Sequence, residues 1–465
     1  MANFETLPAS LQAMIQTGML EREFEEGLDS ILAYRRLALM ETIPNRIGET
    51  ITRTRTGRKT PVTTAMNPAN NNAPSGSGSG FGGLDNGLTP SDASIEQYIF
   101  SMFQYGDSTD VDLLSDLVTI ANNLIRVSRN NGVQAAQSLE RIARKKIYGA
   151  YLGGNTRVRT DIAASTTTTC AVDDIRGFQT VLVNGVPTTV SGTNTLTVYE
   201  TSVSGGVTQT LVVSGVVAGG TNVSSAPDGI SGTLTFAAAT APVNGDALVA
   251  INAPQIIRPG GHITTAQMNG SDTLTLGYLL DAQTILRNNG VPTMPDGTYH
   301  VLLDNQSERQ LWSDQDFKVL YAGRSESEEY KNARIYSLLG MTFIPTTESY
   351  VQLKGATNAT GASAINVNIR RVLMAGAECL IEGDFEGLEN WLARQGVNAI
   401  GDVTLVNNVA HIFRSPLDRL QQWMSLSWTW IGDFAIPADL TATTSIIPTA
   451  SNALYKRAVV IETAG

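Results

Sequence analysis

The stretch LLDAQTILRNNGVPTMPDGTYHVLLDNQSERQLWSDQDFKVLYAG, residues 279–323, changes its periodicity along its length and predicts an α/β unit. Its first part, together with the preceding DTLTLGY, spaces apolar residues as an amphipathic helix does. The segment GTYHVLLD, residues 297–304, then predicts a buried strand, and ERQLWSDQDFKVLYAG predicts a short helix. The sequence IYSLLGMTFIPTTE, residues 335–348, adds a turn and another strand. Helices that alternate with buried strands predict helices packed on a sheet.

Residues 156–258 have a different character, because charges become sparse and apolar residues alternate with a period of two. The segment QTVLVNGVPTTV predicts two strands around Asn184-Gly185, a strong hairpin signal. A second hairpin is predicted around Gly205-Gly206, and GTLTFAAAT and DALVAINAPQIIR add two more strands. About six short strands at regular turn spacing predict an inserted antiparallel β domain, either a small sandwich or a barrel.

The stretch RTRTGRKTPVTTAMNPANNNAPSGSGSGFGG, residues 53–83, joins a basic, β-prone part to a part made almost entirely of Asn, Pro, Gly and Ser. Before it, residues 4–40 space apolar residues as a helix does, and Pro44 marks the predicted end of that helix. After it, SIEQYIFSMFQYGD is again rich in apolar residues. Because sequence that predicts ordered structure flanks it on both sides, the stretch predicts an excursion that leaves the body and returns, not a free tail.

From Ser108 the pattern predicts a long helix with Thr109 as N-cap and Asp112 in the capping-box position. We expect NNG at 130–132 to bend or interrupt this helix, and Gly153-Gly154 to end it. Its predicted apolar face consists of Leu113, Leu114, Leu117, Ile120, Leu124 and Val127. A helix of this length indicates a structural spine and not a recognition element.

The composition excludes several classes of protein. The 465 residues exceed what one core usually serves, so two or three domains are expected. With 42% hydrophobic and only 16% charged residues, the chain has little charged surface. This composition is compatible with coverage by neighbouring copies and equally with a β-rich secreted protein. The net charge of −11 opposes nucleic-acid binding by the protein as a whole. MANFETLPAS lacks the features of a signal peptide, which predicts assembly in a cytoplasm.

No motif predicts catalysis, a metal site or a cofactor. His262, His300 and His411 lie in unrelated segments, and His300 is expected in the core. Cys170 and Cys379 are expected to be buried or idle thiols. The sequence SGSGSGFGG has glycine spacing that resembles a phosphate loop but lacks the strand and helix around it. The remaining candidates are structural: Asp314 and Asp316 are predicted helix caps, and Trp428 and Trp430 are predicted to pack on one face of a strand.

The order of segments, together with the run at 279–323 and IYSLLGMTFIPTTE, resembles the major capsid proteins of tailed bacteriophages. These proteins have the Hong Kong 97-type fold, and this run is similar to that of the podovirus-like coat protein subgroup. The likeness covers residues 273–345 well, the long helix and the last strands more loosely, and the β-rich insert hardly at all. One departure is Asp304-Asn305, where relatives often have His-Pro.

The resemblance implies an α+β fold and a non-enzymatic shell protein that assembles as hexamers and pentamers. It implies these segments: 1–45 as N-terminal arm, 46–106 as extended loop and return, 107–155 as spine helix of the peripheral domain, 156–258 as inserted β domain, 259–400 as axial α/β domain, and 401–465 as C-terminal peripheral-domain strands. Arg53, Arg55, Arg58 and Lys59 are then expected to contact neighbouring subunits. Expected partners besides other copies are a scaffolding protein, a portal, decoration proteins and weakly bound double-stranded DNA, with no cofactor and no membrane.

Three alternatives remain at the level of sequence. The first is the shell of a cellular compartment of encapsulin type, which shares the fold. The second is a β-rich adhesin or carbohydrate-binding protein that acts through residues 160–255. The third is a nucleic-acid-binding protein that uses the cations between Arg53 and Lys59, which the net charge of −11 opposes.

Overall fold

The structure is a computed structural model that describes residues 19–29, 32–44, 50–56, 95–112, 123–159, 168–183, 186–203, 208–219, 224–240, 242–251, 253–322, 337–354, 366–385, 401–414, 422–437 and 456–465. The α-helices in these ranges are α1 (Met19–Asp29), α2 (Asn123–Tyr151), α3 (Leu276–Asn288), α4 (Asn305–Ser313) and α5 (Gln315–Ala322).

The strands of the first half are β1 (Ala38–Ile43), β2 (Thr50–Thr56), β3 (Ile95–Ser101), β4 (Phe103–Asp112), β5 (Asn155–Arg157), β6 (Thr169–Val172), β7 (Thr180–Val183), β8 (Val186–Thr189), β9 (Leu196–Thr201), β10 (Thr208–Ala218), β11 (Gly232–Phe236), β12 (Ala247–Ala250) and β13 (Ile256–Ile257). Those of the second half are β14 (Tyr299–Leu303), β15 (Ser337–Leu338), β16 (Met341–Pro345), β17 (Val351–Gln352), β18 (Ile369–Ala375), β19 (Leu380–Phe385), β20 (Gly401–Val406), β21 (Val409–Arg414), β22 (Trp423–Gly432), β23 (Phe434–Ala435) and β24 (Ala458–Ala464).

A seven-stranded mixed sheet forms the centre of the α/β unit, in the order β13-β24-β18-β14-β16-β15, with β17 paired to β18. The apolar run of β18 is continuous because both faces of this sheet are buried. Leu373 and Ala375 pack in the cluster that includes α2, whereas Val372 and Met374 pack in the cluster that includes α3. The alternation of a strand therefore divides one apolar run between two cores.

The α/β unit predicted from residues 279–323 is confirmed in its elements. Helix α3 and strand β14 lie where the periodicity predicts them, and β16 pairs with β14 in parallel. The second predicted helix is two helices, α4 and α5, separated at Asp314. The Asp304 side chain accepts a hydrogen bond from the Gln306 backbone N–H and caps α4.

Residues 155–250 form a six-stranded antiparallel sheet in the order β5-β12-β9-β10-β11-β6. Its two ends meet, because Val158 and Val172 form an antiparallel bridge and the Arg159 N–H donates to the Ala171 carbonyl at 2.9 Å. The sheet is therefore a closed barrel, the second of the two predicted forms. Its interior is apolar and includes Val198, Val213, Leu234 and Leu248. The predicted hairpins β7–β8 and β9–β10 are both present.

Helices α1 and α2 cross at two glycines. A Cβ added at Gly132 would lie 2.3 Å from the Phe24 carbonyl oxygen, and one at Gly27 would lie 2.5 Å from the Arg129 carbonyl oxygen. Any side chain here would force the two backbones apart. The helix is not interrupted at NNG, residues 130–132, which was one of the two predicted effects, because α2 runs unbroken through it. Its glycine serves close packing between helices.

The boundaries of two predicted helices also differ. The helix predicted over 4–40 ends at Asp29 in the described part of the chain, and residues 38–43 form β1 instead. The helix predicted from Ser108 does not include Thr109 and Asp112, because both lie in β4 and pair with β22; its described part is α2. Tertiary pairing outweighs local capping signals there. The predicted apolar positions Leu113, Leu114, Leu117 and Ile120 lie outside the described residues.

The C-terminal strand differs from its expected place. Strand β24, expected among the peripheral strands of 401–465, lies inside the seven-stranded sheet between β13 and β18. The strands β20, β21, β22 and β4 form a separate four-stranded sheet. There Trp428 and Trp430 are buried as predicted, and the Trp430 ring stacks on Tyr105 and Phe434 at centroid distances of 5.8 and 5.4 Å.

Candidate functional site

Strands β2 and β3 form the base of the predicted excursion. They pair antiparallel in continuous register from Thr50–Ser101 to Thr56–Ile95. The chain between them, residues 57–94, includes Arg58, Lys59 and the Gly/Ser-rich run and lies outside the described residues. The antiparallel pairing shows that the chain returns beside the strand on which it departs, while the predicted excursion itself lies in residues 57–94. We call this pair of strands the arm hairpin.

One face of the arm hairpin, the inner face, rests on the body. Ile51 and Phe100 lie opposite each other in the register and are buried against Ile43 of β1 and Ile381 of β19. The contact is close because position 383 is glycine, where an added Cβ would lie 2.4 Å from the Ile43 Cδ1 atom. The inner face is therefore fixed by apolar packing.

The alternation of β2 places Arg53 and Arg55 on this same inner face. The Arg53 Nε atom lies 2.8 Å from the Glu41 carboxylate of β1, and its Nη2 donates to the Thr42 carbonyl at 3.2 Å. The Tyr98 hydroxyl donates to the other Glu41 oxygen at 3.2 Å, and burial with the nearby Glu41 charge raises the pKa of Tyr98 to about 12. Arg55 is 8% exposed. The two described cations therefore contact their own chain, and Arg55 contributes to the core.

The opposite face of the hairpin, the outer face, is exposed. Thr52 and Thr54 are exposed, and Ile99, opposite Thr52 in the register, is 50% exposed. Neighbouring segments at the base of the hairpin expose further large apolar side chains, namely Leu39 and Met40 of β1 and Phe103 of β4. Strand β1 is also an edge of the three-stranded sheet β1-β19-β23. The outer face and these side chains are exposed apolar surface that a partner could cover.

A buried polar network anchors the chain that leads into β1. The Glu140 carboxylate of α2 accepts the backbone N–H groups of Ala33, Tyr34 and Arg35 at 2.8 to 3.0 Å. Burial raises the pKa of Glu140, and these three hydrogen bonds oppose the shift. The Arg35 guanidinium in turn donates to the Glu382 carboxylate at 2.6 to 3.0 Å. Helix α2 thereby fixes the position of β1 under the hairpin.

Solved structures of phage capsids are similar to this chain. The capsid of Ralstonia phage GP4 is 10% identical, with a TM-score of 0.45 over 92% of this chain and 87% of that one. The Cyanophage Pam1 capsid is 9% identical, with a TM-score of 0.42 over 90% and 86%. The mature capsid of bacteriophage PhiM1 is 8% identical, with a TM-score of 0.40 over 92% and 86%. No protein-family model and no curated protein matches the sequence.

The other residues singled out in the sequence make packing or hydrogen-bond contacts within the fold. His411 is buried, its ring stacks on Phe24 at 4.6 Å, and burial lowers its pKa to about 4. His300 is partly exposed, contrary to its predicted core position, and lies 2.8 Å from Asp296. Asp314 caps the start of a helix as predicted, since its carboxylate accepts the Leu276 N–H at the start of α3 at 2.8 Å. Both cysteines are buried, and burial raises the pKa of each thiol to about 12.

The described residues contain neither a candidate membrane-spanning helix nor a candidate metal site. None of the described helices is long and apolar enough to cross a membrane. No group of three or more His, Cys, Asp or Glu side chains in the described ranges is placed to hold a metal ion.

The exposed apolar side chains at the base of the hairpin were not predicted from the sequence. The four cations of the stretch were predicted instead, because they stand out in a sequence with few charges. The alternation in IEQYIFS carries the missing signal, since Ile99 and Phe100 are consecutive and only one of them can face the body.

Proposed function

We propose that this chain is a major capsid protein, many copies of which form hexamers and pentamers of the icosahedral shell that encloses the genome of a tailed bacteriophage. The observation that carries the proposal is the arm hairpin, which is packed on one face and exposed on the other. An isolated two-stranded hairpin is at best marginally stable in water. The rest of the arm, residues 57–94, leaves from its far end with a composition that cannot bury much surface of its own.

The chemistry of the outer face favours a second copy of the same chain as its partner. Threonines and a half-exposed isoleucine form a neutral, β-prone surface. Leu39 and Met40 of β1 and Phe103 of β4 are further exposed apolar side chains available for such a contact. Only 16% of the residues are charged, so much of the surface of a subunit is neutral. In a symmetric assembly, contacts between identical copies cover the same neutral surface in every subunit.

The segments are assigned roles in this proposal. Residues 1–45 serve as N-terminal arm and 46–106 as extended loop; the peripheral domain takes α2 and the strands after residue 401, apart from β24. The barrel within 156–258 is an insertion, and the seven-stranded sheet with α3 to α5 forms the axial domain of a Hong Kong 97-type fold. The role is structural and involves no catalytic step.

The proposal also assigns partners and a location. Assembly takes place in the host cytoplasm with a scaffolding protein and a portal, and the mature protein resides in the virion. The other proposed partners are decoration proteins and packaged double-stranded DNA, which the protein contacts weakly and non-specifically. Of the four cations, Arg58 and Lys59 are the ones proposed to reach neighbouring subunits, because Arg53 and Arg55 have contacts within their own chain.

A pair of surface substitutions tests the role of the hairpin. Ile99→Asp places a charge on the exposed outer face, and we expect the subunit to unfold at nearly its original temperature but to yield less than a tenth of the assembled particles. Val217→Asp is the matched control, because Val217 is 63% exposed on the barrel. It should assemble at the original yield. Sedimentation of particles and thermal unfolding of subunits measure both. Equal assembly of the two variants would contradict the proposed role of the outer face.

The rival carbohydrate-binding function receives little support from the barrel. Sugar platforms use exposed aromatic rings, and the segment 156–258 contains no tryptophan. Tyr199 is its one tyrosine and is 37% exposed. The interior of the barrel is filled by its own apolar side chains.

A further inference from the structure

A cavity of about 50 Å³ lies between the barrel and the seven-stranded sheet. The barrel contributes Arg157 of β5 to its lining, and the sheet contributes Gln352 of β17, Arg371 of β18 and Glu462 of β24. One ordered water needs roughly 10–15 Å³ measured this way, so the cavity has room for a few waters or one small anion.

The charges around the cavity are dominated by arginine. Asp173 pairs with Arg157 and Arg159 at 3.5 and 2.8 Å, and Glu462 pairs with Arg258 and Arg371 at 2.7 and 2.9 Å. Each of these two buried carboxylates is therefore shared by two guanidinium groups. The third carboxylate of the lining, Asp174, is bound by Arg176 at 2.7 Å. The lining itself contains three arginines and three carboxylates. Arg159 and Arg176 lie outside the lining and also pair with Asp173 and Asp174, so five arginines in all share these three carboxylates.

Four buried N–H donors of the cavity lining have no hydrogen-bond partner among the described residues. They are the Arg157 Nε and Nη1, the Arg371 Nη1 and the Gln352 Nε2, of which the Arg157 Nε lies 3.5 Å from Asp173. Arg157, Arg371 and Gln352 are 3%, 2% and 7% exposed. The amide orientation of Gln352 is fixed, because its oxygen accepts from the Arg371 Nη2 at 2.5 Å and arginine can only donate. Its NH₂ group must therefore find an acceptor elsewhere.

An unpaired buried donor is costly, and a buried cation without a counter-charge costs more. The pKa of Arg157 is lowered, first by burial, and the neighbouring Arg159 and Arg258 charges add to the shift while Asp173 opposes it. Water could accept hydrogen bonds from these donors but would not neutralise the positive charge of the guanidinium groups. An anion does both.

We propose that this cavity binds a small inorganic anion, such as chloride or phosphate, which accepts hydrogen bonds from Arg157 of the barrel and from Arg371 and Gln352 of the sheet. The anion joins the inserted barrel to the body of the subunit. The site is independent of the proposed function, since it requires only the single chain.

The test is thermal unfolding of the purified full-length chain at constant ionic strength, with sodium gluconate replaced stepwise by sodium chloride or sodium phosphate up to 50 mM. Gluconate is too large for the cavity, and these concentrations are too low for general salt exclusion to matter. A ligand that binds only the folded state raises the melting temperature with its concentration. We expect the melting temperature to rise by about 2–4 °C with a response that levels off.

Gln352→Glu is the informative variant. It keeps the acceptor for Arg371, removes the unpaired amide donor and supplies a negative charge of its own. We expect it to melt at or above the temperature of the anion-loaded protein and to lose the response to chloride and phosphate. Gln97→Glu adds the same charge on the arm hairpin and should keep the full response. Identical melting in all three salts, or an undiminished response in Gln352→Glu, overturns the proposal and leaves water as the occupant. If Gln352→Glu does not fold, the anion series on the unaltered chain decides.

Discussion

The barrel and the arm hairpin are built from similar threonine-rich antiparallel strands, but only the barrel is complete by itself. The barrel joins its two end strands through Val158 and Val172 and surrounds its own apolar interior. The hairpin has two strands, one buried face and one exposed face. The local sequence pattern is the same in both regions. The difference is whether the edges and faces of the strands find partners within the chain.

The largest expected difference appears when each region is excised. Residues 153–254, expressed alone, should fold with a β-type circular dichroism spectrum and unfold in one cooperative transition. The strands of the barrel pair with one another all the way round and enclose their own apolar core. Residues 50–101, expressed alone, should show no cooperative transition, because their buried face needs β1 and β19. A molten or insoluble barrel fragment under varied boundaries would remove the distinction between the two regions.

Acid should also affect the body and the barrel differently. The buried His411 of the body has its pKa lowered from 6.5 to about 4 by burial. The unfolded chain therefore takes up this proton first, so stability is complete above about pH 6.5 and falls as the pH drops toward 4, by about 3 kcal/mol in total. The barrel segment 155–250 contains no histidine, and burial raises the pKa of its Glu200, so protonation there favours the folded state.

Calorimetry of the full chain between pH 7 and pH 4 measures this difference. The transition of the body should move to lower temperature, while that of the barrel should not. His411→Phe keeps an aromatic ring next to Phe24 and removes the titrating group, so it should flatten the pH dependence of the body. An unchanged slope in this variant would show that other groups control the acid response.

A smaller effect distinguishes two arginines of the hairpin that are two residues apart. Arg55 is buried, so Arg55→Ser should lower the free energy of unfolding of the subunit by more than about 1 kcal/mol. Arg53 is paired with Glu41, with both side chains about one-third exposed, so Arg53→Ser should cost about 0–1 kcal/mol. Urea unfolding of both variants measures the two costs. Equal losses in the free energy of unfolding would mean that the buried Arg55 stabilises the subunit no more than the partly exposed Arg53–Glu41 pair does.

The elements that could be predicted from the sequence are those that depend on residues close together in the chain. The Asn184-Gly185 turn, the period-two strands around it and the helix at 276–288 were all predictable, because each depends on residues close together in the chain. The antiparallel return of the arm was predictable for the same reason, since both ends of the excursion carry β-prone residues.

The remaining features depend on residues distant in sequence. Gly132 serves helix packing because it meets Phe24, which nothing in NNG indicates. Thr109 and Asp112 form a capping pattern but lie in a strand, because β22 pairs with them from more than 300 residues away. The inward direction of Arg53 and Arg55 depends on Glu41 and on the buried surface of β1 and β19. Composition could identify these residues as unusual but could not assign their partners.

Electron microscopy of the high-mass fraction of the purified full-length protein tests the central claim most directly. A capsid protein with an arm hairpin that is completed by neighbouring copies should form closed shells of uniform diameter, with capsomers of fivefold and sixfold symmetry. The Ile99→Asp variant should yield less than a tenth of these shells in the same preparation. Fibres, or monomers at every protein concentration from the unaltered chain, would contradict the account.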